Sequence, residues 1–163
     1  MIAVEGVDGA GKTTLLKQLA IDRPDIRILK SPFQPEFPEL LFPNCLEMLI
    51  EYCDSTNVFV DRFFFSELVY GPILRGGLYI NAAGIQSLLN IFREGNNFIV
   101  WCSPPMSTVK ESAKASVQQA GVLANLEKLY WSYVSLFTVY RERPVFLYDW
   151  TTEGAYETLL RRL

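Results

Sequence analysis

The sequence predicts an α/β fold, a three-layer α/β/α arrangement built on a five-stranded parallel sheet. Three observations predict it. Five short apolar runs recur along 163 residues, helical patterns separate them, and a glycine-rich loop joins the first run to the first helical segment. Strands that alternate with helices imply βαβ units and parallel pairing. Right-handed crossovers then distribute the helices over both faces of the sheet.

The apolar runs are residues 2–4, 26–29, 58–60, 98–102 and 145–148. They are brief and mostly β-branched or aromatic, which predicts strands covered on both faces. Helices are predicted over residues 12–20, 39–53, 81–93, 123–140 and 152–162. In the third, Ile85, Leu88, Leu89 and Phe92 fall at helical spacing. In the fourth, Leu126, Leu129, Tyr130, Tyr133, Phe137 and Tyr140 line one side, a pattern expected of helix packing. The proline-rich segment 31–43 reads as a structured, irregular loop. The chain is read as one domain, residues 1–163.

Composition narrows the function classes. Half the residues are hydrophobic and 20% are charged, which excludes a disordered chain. No apolar run reaches the roughly 18 residues that span a bilayer, so no membrane partner is expected. Met1 leads directly into a strand-like run without a basic segment, so no secretory leader is expected. Three cysteines without a CxxC pair fit a reducing, cytoplasmic setting. The absence of histidine argues against a zinc site and against a histidine base. A net charge of −3 disfavours DNA as a partner, since proteins that track a nucleic-acid backbone carry a basic excess. A homodimer stays open.

The glycine-rich loop carries the chemistry. Gly6-Val7-Asp8-Gly9-Ala10-Gly11-Lys12-Thr13 fits the pattern G-x-x-x-x-G-K-[ST] and is followed by Thr14. Its glycines let the backbone curl so that N–H groups point inward at an anion. Lys12 supplies a positive charge for the outer phosphates, Thr13 offers a hydroxyl to Mg²⁺, and the following helix directs its positive end to the same place. ATP and Mg²⁺ are therefore the expected cofactors. The third strand signal ends in Asp61-Arg62. An acid there sits at the carboxyl edge of the sheet, where it can hold the water shell of the metal. Arg62 can fork onto a phosphate or stabilise charge during transfer.

The run Val4 to Thr14, and the run Asp61-Arg62-Phe63-Phe64-Phe65-Ser66 through Tyr70 to Arg75-Gly76, resemble the first and second motifs of the thymidylate kinases. The compact length resembles phage-encoded members. The resemblance implies a nucleoside monophosphate kinase that moves the γ-phosphate of ATP onto dTMP or a related pyrimidine deoxynucleotide. It implies that Asp8 reaches the 3′-hydroxyl of the acceptor sugar, Arg62 holds the acceptor phosphate, Tyr70 lies under the sugar and favours deoxyribose, and Phe33 lies near the acceptor. It places Trp150 and Thr151 where the family cradles adenine. The sequence departs from the family in three places. Lys30-Ser31-Pro32-Phe33 replaces Arg-Glu-Pro after the second strand. Residues 39–53 contain no arginine to read the thymine edge. The lid segment, residues 107–119, offers Lys110 and Lys114 in place of arginines. Two rival kinases stay open: a deoxynucleoside kinase with Glu5 as base, and a kinase acting on a modified pyrimidine in phage DNA.

Overall fold

The computed structural model describes residues 1–115, 121–139 and 145–163. Strand β1 (Ile2–Glu5) is buried at every residue. It pairs in parallel with β3 (Val58–Asp61) on one side and β4 (Phe98–Cys102) on the other. β2 (Arg27–Lys30) and β5 (Val145–Tyr148) complete a five-stranded sheet in the order β2-β3-β1-β4-β5, with every pairing parallel.

The three inner strands behave as their continuous apolar runs predict. The outer two do not. In β2, Arg27, Ile28 and Lys30 are exposed and Leu29 is only half-buried; in β5, Leu147 is exposed. Edge strands lose a neighbour on one side, and flanking charges such as Arg27 and Lys30 discourage further pairing there. The expectation that all five strands are covered on both faces is therefore corrected for these two.

Helices α1 (Lys12–Asp22), α2 (Leu41–Tyr52), α4 (Ala82–Glu94), α6 (Val122–Val139) and α7 (Ala155–Leu160) lie where helical spacing places them. A 3₁₀ turn, Pro38–Leu40, leads into α2. Asn81 caps α4, its side-chain oxygen accepting the Gly84 N–H at 2.8 Å. Along α6, Val122, Leu126, Leu129, Tyr133 and Phe137 are buried, as packing spacing predicts; Tyr140 lies outside the described residues. Two helices lie outside the predicted helical ranges: α3 (Phe64–Tyr70) and α5 (Met106–Lys114). The aromatic run that opens α3 has strand-like composition. In the fold Phe63, Phe64, Phe65 and Phe92 form a buried edge-to-face cluster, and that tertiary packing overrides local propensity. Among the described residues, no helix is long and apolar enough to cross a membrane.

The register fixes where chemistry can occur. Val4 lies opposite Asp61 across β1 and β3, so the glycine-rich loop and the Asp61-Arg62 pair leave the sheet side by side. In parallel α/β sheets ligands bind beyond these carboxyl ends.

Candidate active site

The phosphate loop, residues 6–11, curls between β1 and α1. Gly9 has φ +83° and Gly11 φ +92°, a region that side-chain-bearing residues seldom adopt. Close approach matters as much as torsion. A Cβ at Gly9 would lie 2.7 Å from the Val109 carbonyl oxygen in α5, and one at Gly11 would lie 2.6 Å from the indole nitrogen of Trp150. Trp150 donates that N–H to the Ala10 carbonyl at 3.1 Å. The loop is thus held from above by α5 and by the indole.

Lys12 opens α1 and is buried. Its ammonium donates to the carbonyls of Gly6 at 2.9 Å and Val7 at 3.0 Å. Burial, helped by the nearby positive charge of Arg62, lowers its pKa to about 8. A cavity of about 740 Å³ opens beside it, lined by Asp8, Gly9, Gly11, Thr13, Thr14 and Trp150 among others. Gly6 and Ala10 are buried and do not line it. Thr151 is exposed and bonds Asp149, so only Trp150 of that pair reaches the cavity.

Asp61 ends β3 opposite Val4 of β1 and Lys30 of β2. It lines neither cavity at this edge, yet it is close enough for its charge to favour protonated Lys12. Among the described residues no cluster of three or more His, Cys, Asp or Glu side chains forms a metal cage. One hydroxyl, Thr13, and one carboxylate, Asp61, suit Mg²⁺, which keeps several waters and takes its remaining ligands from phosphates.

Arg62 has φ +68°, a left-handed conformation uncommon for a side chain of its size, while its N–H donates to the Val4 carbonyl at 3.0 Å. The bend turns its guanidinium back to the loop. There it donates to the Asp8 carboxylate at 2.7 Å and lies 4.8 Å from the centroid of the Tyr70 ring. Tyr70 donates its hydroxyl to the other Asp8 oxygen at 2.7 Å, and the same hydroxyl accepts the Asp8 N–H at 3.2 Å. Burial alone would raise the Asp8 pKa. Arg62 and Lys12, with the Tyr70 hydrogen bond, outweigh it and hold the carboxyl below its usual value.

A second, smaller cavity of about 120 Å³ is lined by Arg62, Tyr70, Phe33, Glu67 and Arg75, and Asp8 lines both cavities. The structure therefore places Asp8, Phe33, Arg62 and Tyr70 around one cavity. Glu67 and Arg75, which the sequence reading did not single out, line the same cavity. Glu67 stands one turn before Tyr70 on α3, and Arg75 belongs to the Arg-Gly step of the second motif; those spacings were the available signal.

Glu5 is fully buried and lines neither cavity. Its oxygens accept the Phe63 N–H at 2.7 Å, the Ser66 hydroxyl at 2.7 Å and the Tyr133 hydroxyl at 3.1 Å. Burial raises its pKa despite these bonds. Lys110 points its ammonium at Glu127, 3.2 Å away on an exposed face of α6, and Lys114 is exposed at the end of α5.

No protein-family model matches the chain. A probable thymidylate kinase from Metallosphaera sedula is 30% identical, over 56% of this chain and 55% of that protein. The chain spans about half the length of that curated relative. Among solved structures, the YorR protein of Bacillus subtilis, in complex with phosphorylated GDP, superposes with a TM-score of 0.78 at 17% identity, over 99% of this chain and 94% of that one. Deoxyadenosine kinase from M. mycoides with bound dATP superposes with a TM-score of 0.68 at 14% identity, over 99% of this chain and 97% of that one. The chain shares with these structures a three-layer α/β/α fold on a five-stranded parallel sheet, and its loop after β1 fits the phosphate-loop pattern. The curated protein that the chain resembles over this part of its length is a probable thymidylate kinase.

Proposed function

We propose that the protein is an ATP-dependent kinase that transfers the γ-phosphate to a deoxynucleoside monophosphate, dTMP or a related pyrimidine nucleotide, with residues 1–163 acting as one catalytic unit. The observation that carries this reading is Asp8 lining both cavities while paired to Arg62. A donor in the larger cavity and an acceptor in the smaller one meet at that pair.

In this reading the loop N–H groups and Lys12 hold the β- and γ-phosphates, and Trp150 borders the nucleotide. Thr13 would ligate Mg²⁺ together with the donor phosphates and Asp61 would hold the water shell of the metal, which would neutralise charge on those oxygens. Arg62 holds the acceptor phosphate between two anions that would otherwise repel. An acceptor oxygen of the phosphate attacks the γ-phosphorus as the bond to the β-bridging oxygen breaks. ADP leaves with that electron pair and the acceptor becomes a diphosphate. The attacking oxygen is already ionised, so no base is needed, and positioning with charge neutralisation supplies the rate.

The nucleoside-kinase alternative requires a carboxylate base. Glu5 would have to serve while buried away from both cavities and hydrogen-bonded at each oxygen, which favours the monophosphate reading. The experiment is a coupled assay of ADP release with thymidine and its monophosphate, alongside the other nucleosides and monophosphates. Faster turnover of free thymidine at equal concentration sinks the monophosphate reading.

A further inference from the structure

Glu5 lies outside both cavities, fully buried at the end of β1, and its bonds converge on the segment that carries Arg62. Among the described residues, Arg62 is the single non-glycine with positive φ. Such a conformation persists only where the surrounding structure fixes it. On one side backbone pairing does so, the Arg62 N–H reaching the Val4 carbonyl at 3.0 Å. The next donor along the chain, the Phe63 N–H, is met by a side chain instead. Glu5 Oε1 accepts it at 2.7 Å. Glu5 Oε2 accepts the hydroxyls of Ser66 on α3 at 2.7 Å and of Tyr133 on α6 at 3.1 Å, and these two hydroxyls lie 2.7 Å apart.

We propose that Glu5 is a positioning residue: its carboxylate clamps the left-handed bend at Arg62 and so holds the guanidinium against Asp8 and Tyr70, facing the acceptor. The inference rests on the acceptor role given to Arg62 above and adds a residue that does not itself touch substrate. A left-handed arginine anchored at one end only can relax to the extended or right-handed regions that side chains prefer. Relaxation turns the Cα–Cβ bond, and the guanidinium at the end of a long side chain then leaves Asp8. Phe63 is buried, so its N–H has no ready access to water once Glu5 lets go. The two hydroxyls keep the carboxylate itself from swinging away.

A clamp of this kind depends on reach more than on charge. Glutamine has the same length. Its side-chain oxygen can still accept the Phe63 N–H, while its amide N–H groups donate to the Ser66 and Tyr133 hydroxyls, which can accept as well as donate. Aspartate keeps the charge but is shorter by one methylene, about 1.5 Å, which takes a 2.7 Å bond out of hydrogen-bond range. A carboxylate acting through its charge, or as a base toward a hydroxyl, gives the opposite order: aspartate retains the ionised group and glutamine loses it.

The test uses the deoxynucleoside monophosphate turned over fastest in the coupled assay. It measures kcat and KM for that acceptor, and KM for ATP, in the unmodified protein, Glu5→Asp, Glu5→Gln, Tyr133→Phe, Arg62→Ala and the double variant Glu5→Asp/Arg62→Ala, with melting temperatures in parallel. Glu5→Asp should lower acceptor kcat/KM by at least about tenfold while the KM for ATP stays within about twofold, because a misplaced positioning group costs the step it serves. Glu5→Gln should recover most of that loss. With Arg62 already removed, Glu5→Asp should cost less than about threefold more, since the group it aims is gone. Tyr133→Phe keeps the ring and frees one side of the carboxylate, so it should lower the same parameter by about threefold, and it decides the matter if Glu5→Asp does not fold. A larger loss in Glu5→Gln than in Glu5→Asp overturns the clamp in favour of a charge or a base. A full loss repeated in the Arg62→Ala background overturns it in favour of general support of the fold, and leaves the kinase reading standing. Unchanged acceptor kinetics in Glu5→Asp, or in Tyr133→Phe where Glu5→Asp does not fold, overturns it as well. Absence of transfer to any nucleotide overturns the kinase reading, and this inference with it.

Discussion

Arg62 donates to the Asp8 carboxylate across 2.7 Å, tying the residue after β3 to the middle of the phosphate loop. Both side chains are partly buried, at 19% and 25% exposure, so the pair is shielded from bulk water yet open to a ligand. An acceptor phosphate would have to share the Arg62 guanidinium with Asp8. That sharing predicts how the site fails when either partner is changed.

Arg62→Ala removes the cation that faces the acceptor. Acceptor KM should rise and kcat should fall, together lowering kcat/KM by at least about tenfold, the scale of one charge-assisted hydrogen bond. ATP affinity should move little, because Lys12 and the loop N–H groups remain. Arg62→Lys should recover only part of the loss, since a point charge replaces a two-pronged contact. Steady-state kinetics with each substrate varied in turn decides it; a large loss of ATP affinity in Arg62→Ala would contradict the placement.

Lys12 sets a pH dependence. Burial lowers its pKa from 10.5 to about 8 in the nucleotide-free protein, so a growing fraction is neutral above that pH. Bound phosphates favour the charged form and raise the pKa again. ATP affinity should therefore be flat below pH about 8 and weaken as pH rises above it, with proton uptake on binding in that range. Calorimetry in two buffers of different ionisation enthalpy measures the uptake directly. Lys12→Ala should abolish both the pH dependence and most turnover while the melting transition persists.

Trp150 touches the loop through its indole N–H and packs over Gly11. Nucleotide entering the larger cavity should change its fluorescence. Trp101 and Trp131 line neither of the two cavities. Trp150→Phe should eliminate the fluorescence response and weaken ATP binding modestly. A full response in Trp150→Phe would place the nucleotide elsewhere.

The fold was legible because its strongest signals are local. A glycine loop after an apolar run and before a helix fixes β1 and α1, and periodic apolar faces fix α2, α4 and α6. The phosphate loop and Asp61-Arg62 were legible for the same reason, as contiguous residues in a fixed pattern. What stayed hidden depends on tertiary contact. The Phe63-Phe64-Phe65 run is strand-like in composition and becomes the start of α3 only because Phe92 and Phe137 pack against it. Glu67 and Arg75 are separated by the π-type turn, whose effect on side-chain direction no periodicity announces. Glu5 looked available after its strand, and only the fold shows Phe63, Ser66 and Tyr133 closing around it.

Tyr70 permits a test that separates its ring from its hydroxyl. The ring lies under the Arg62 guanidinium and on the cavity wall, whereas the hydroxyl bonds both the carboxylate and the N–H of Asp8. If the ring occupies the space a 2′-hydroxyl needs, Tyr70→Phe should keep the preference for deoxyribose. It should alter Asp8 instead: losing one of the groups that hold its pKa down, the carboxyl should titrate at higher pH, and activity should fall off earlier as the solution is acidified. Tyr70→Ala removes the ring as well. It should narrow the gap between deoxy and ribo acceptors by at least about tenfold, at some cost in stability, since truncating a buried aromatic removes roughly 3–5 kcal/mol. The comparison of dTMP with its ribose counterpart across the three proteins reads both effects. Equal rates with the two sugars in the unmodified protein would show that the Tyr70 ring does not exclude the hydroxyl.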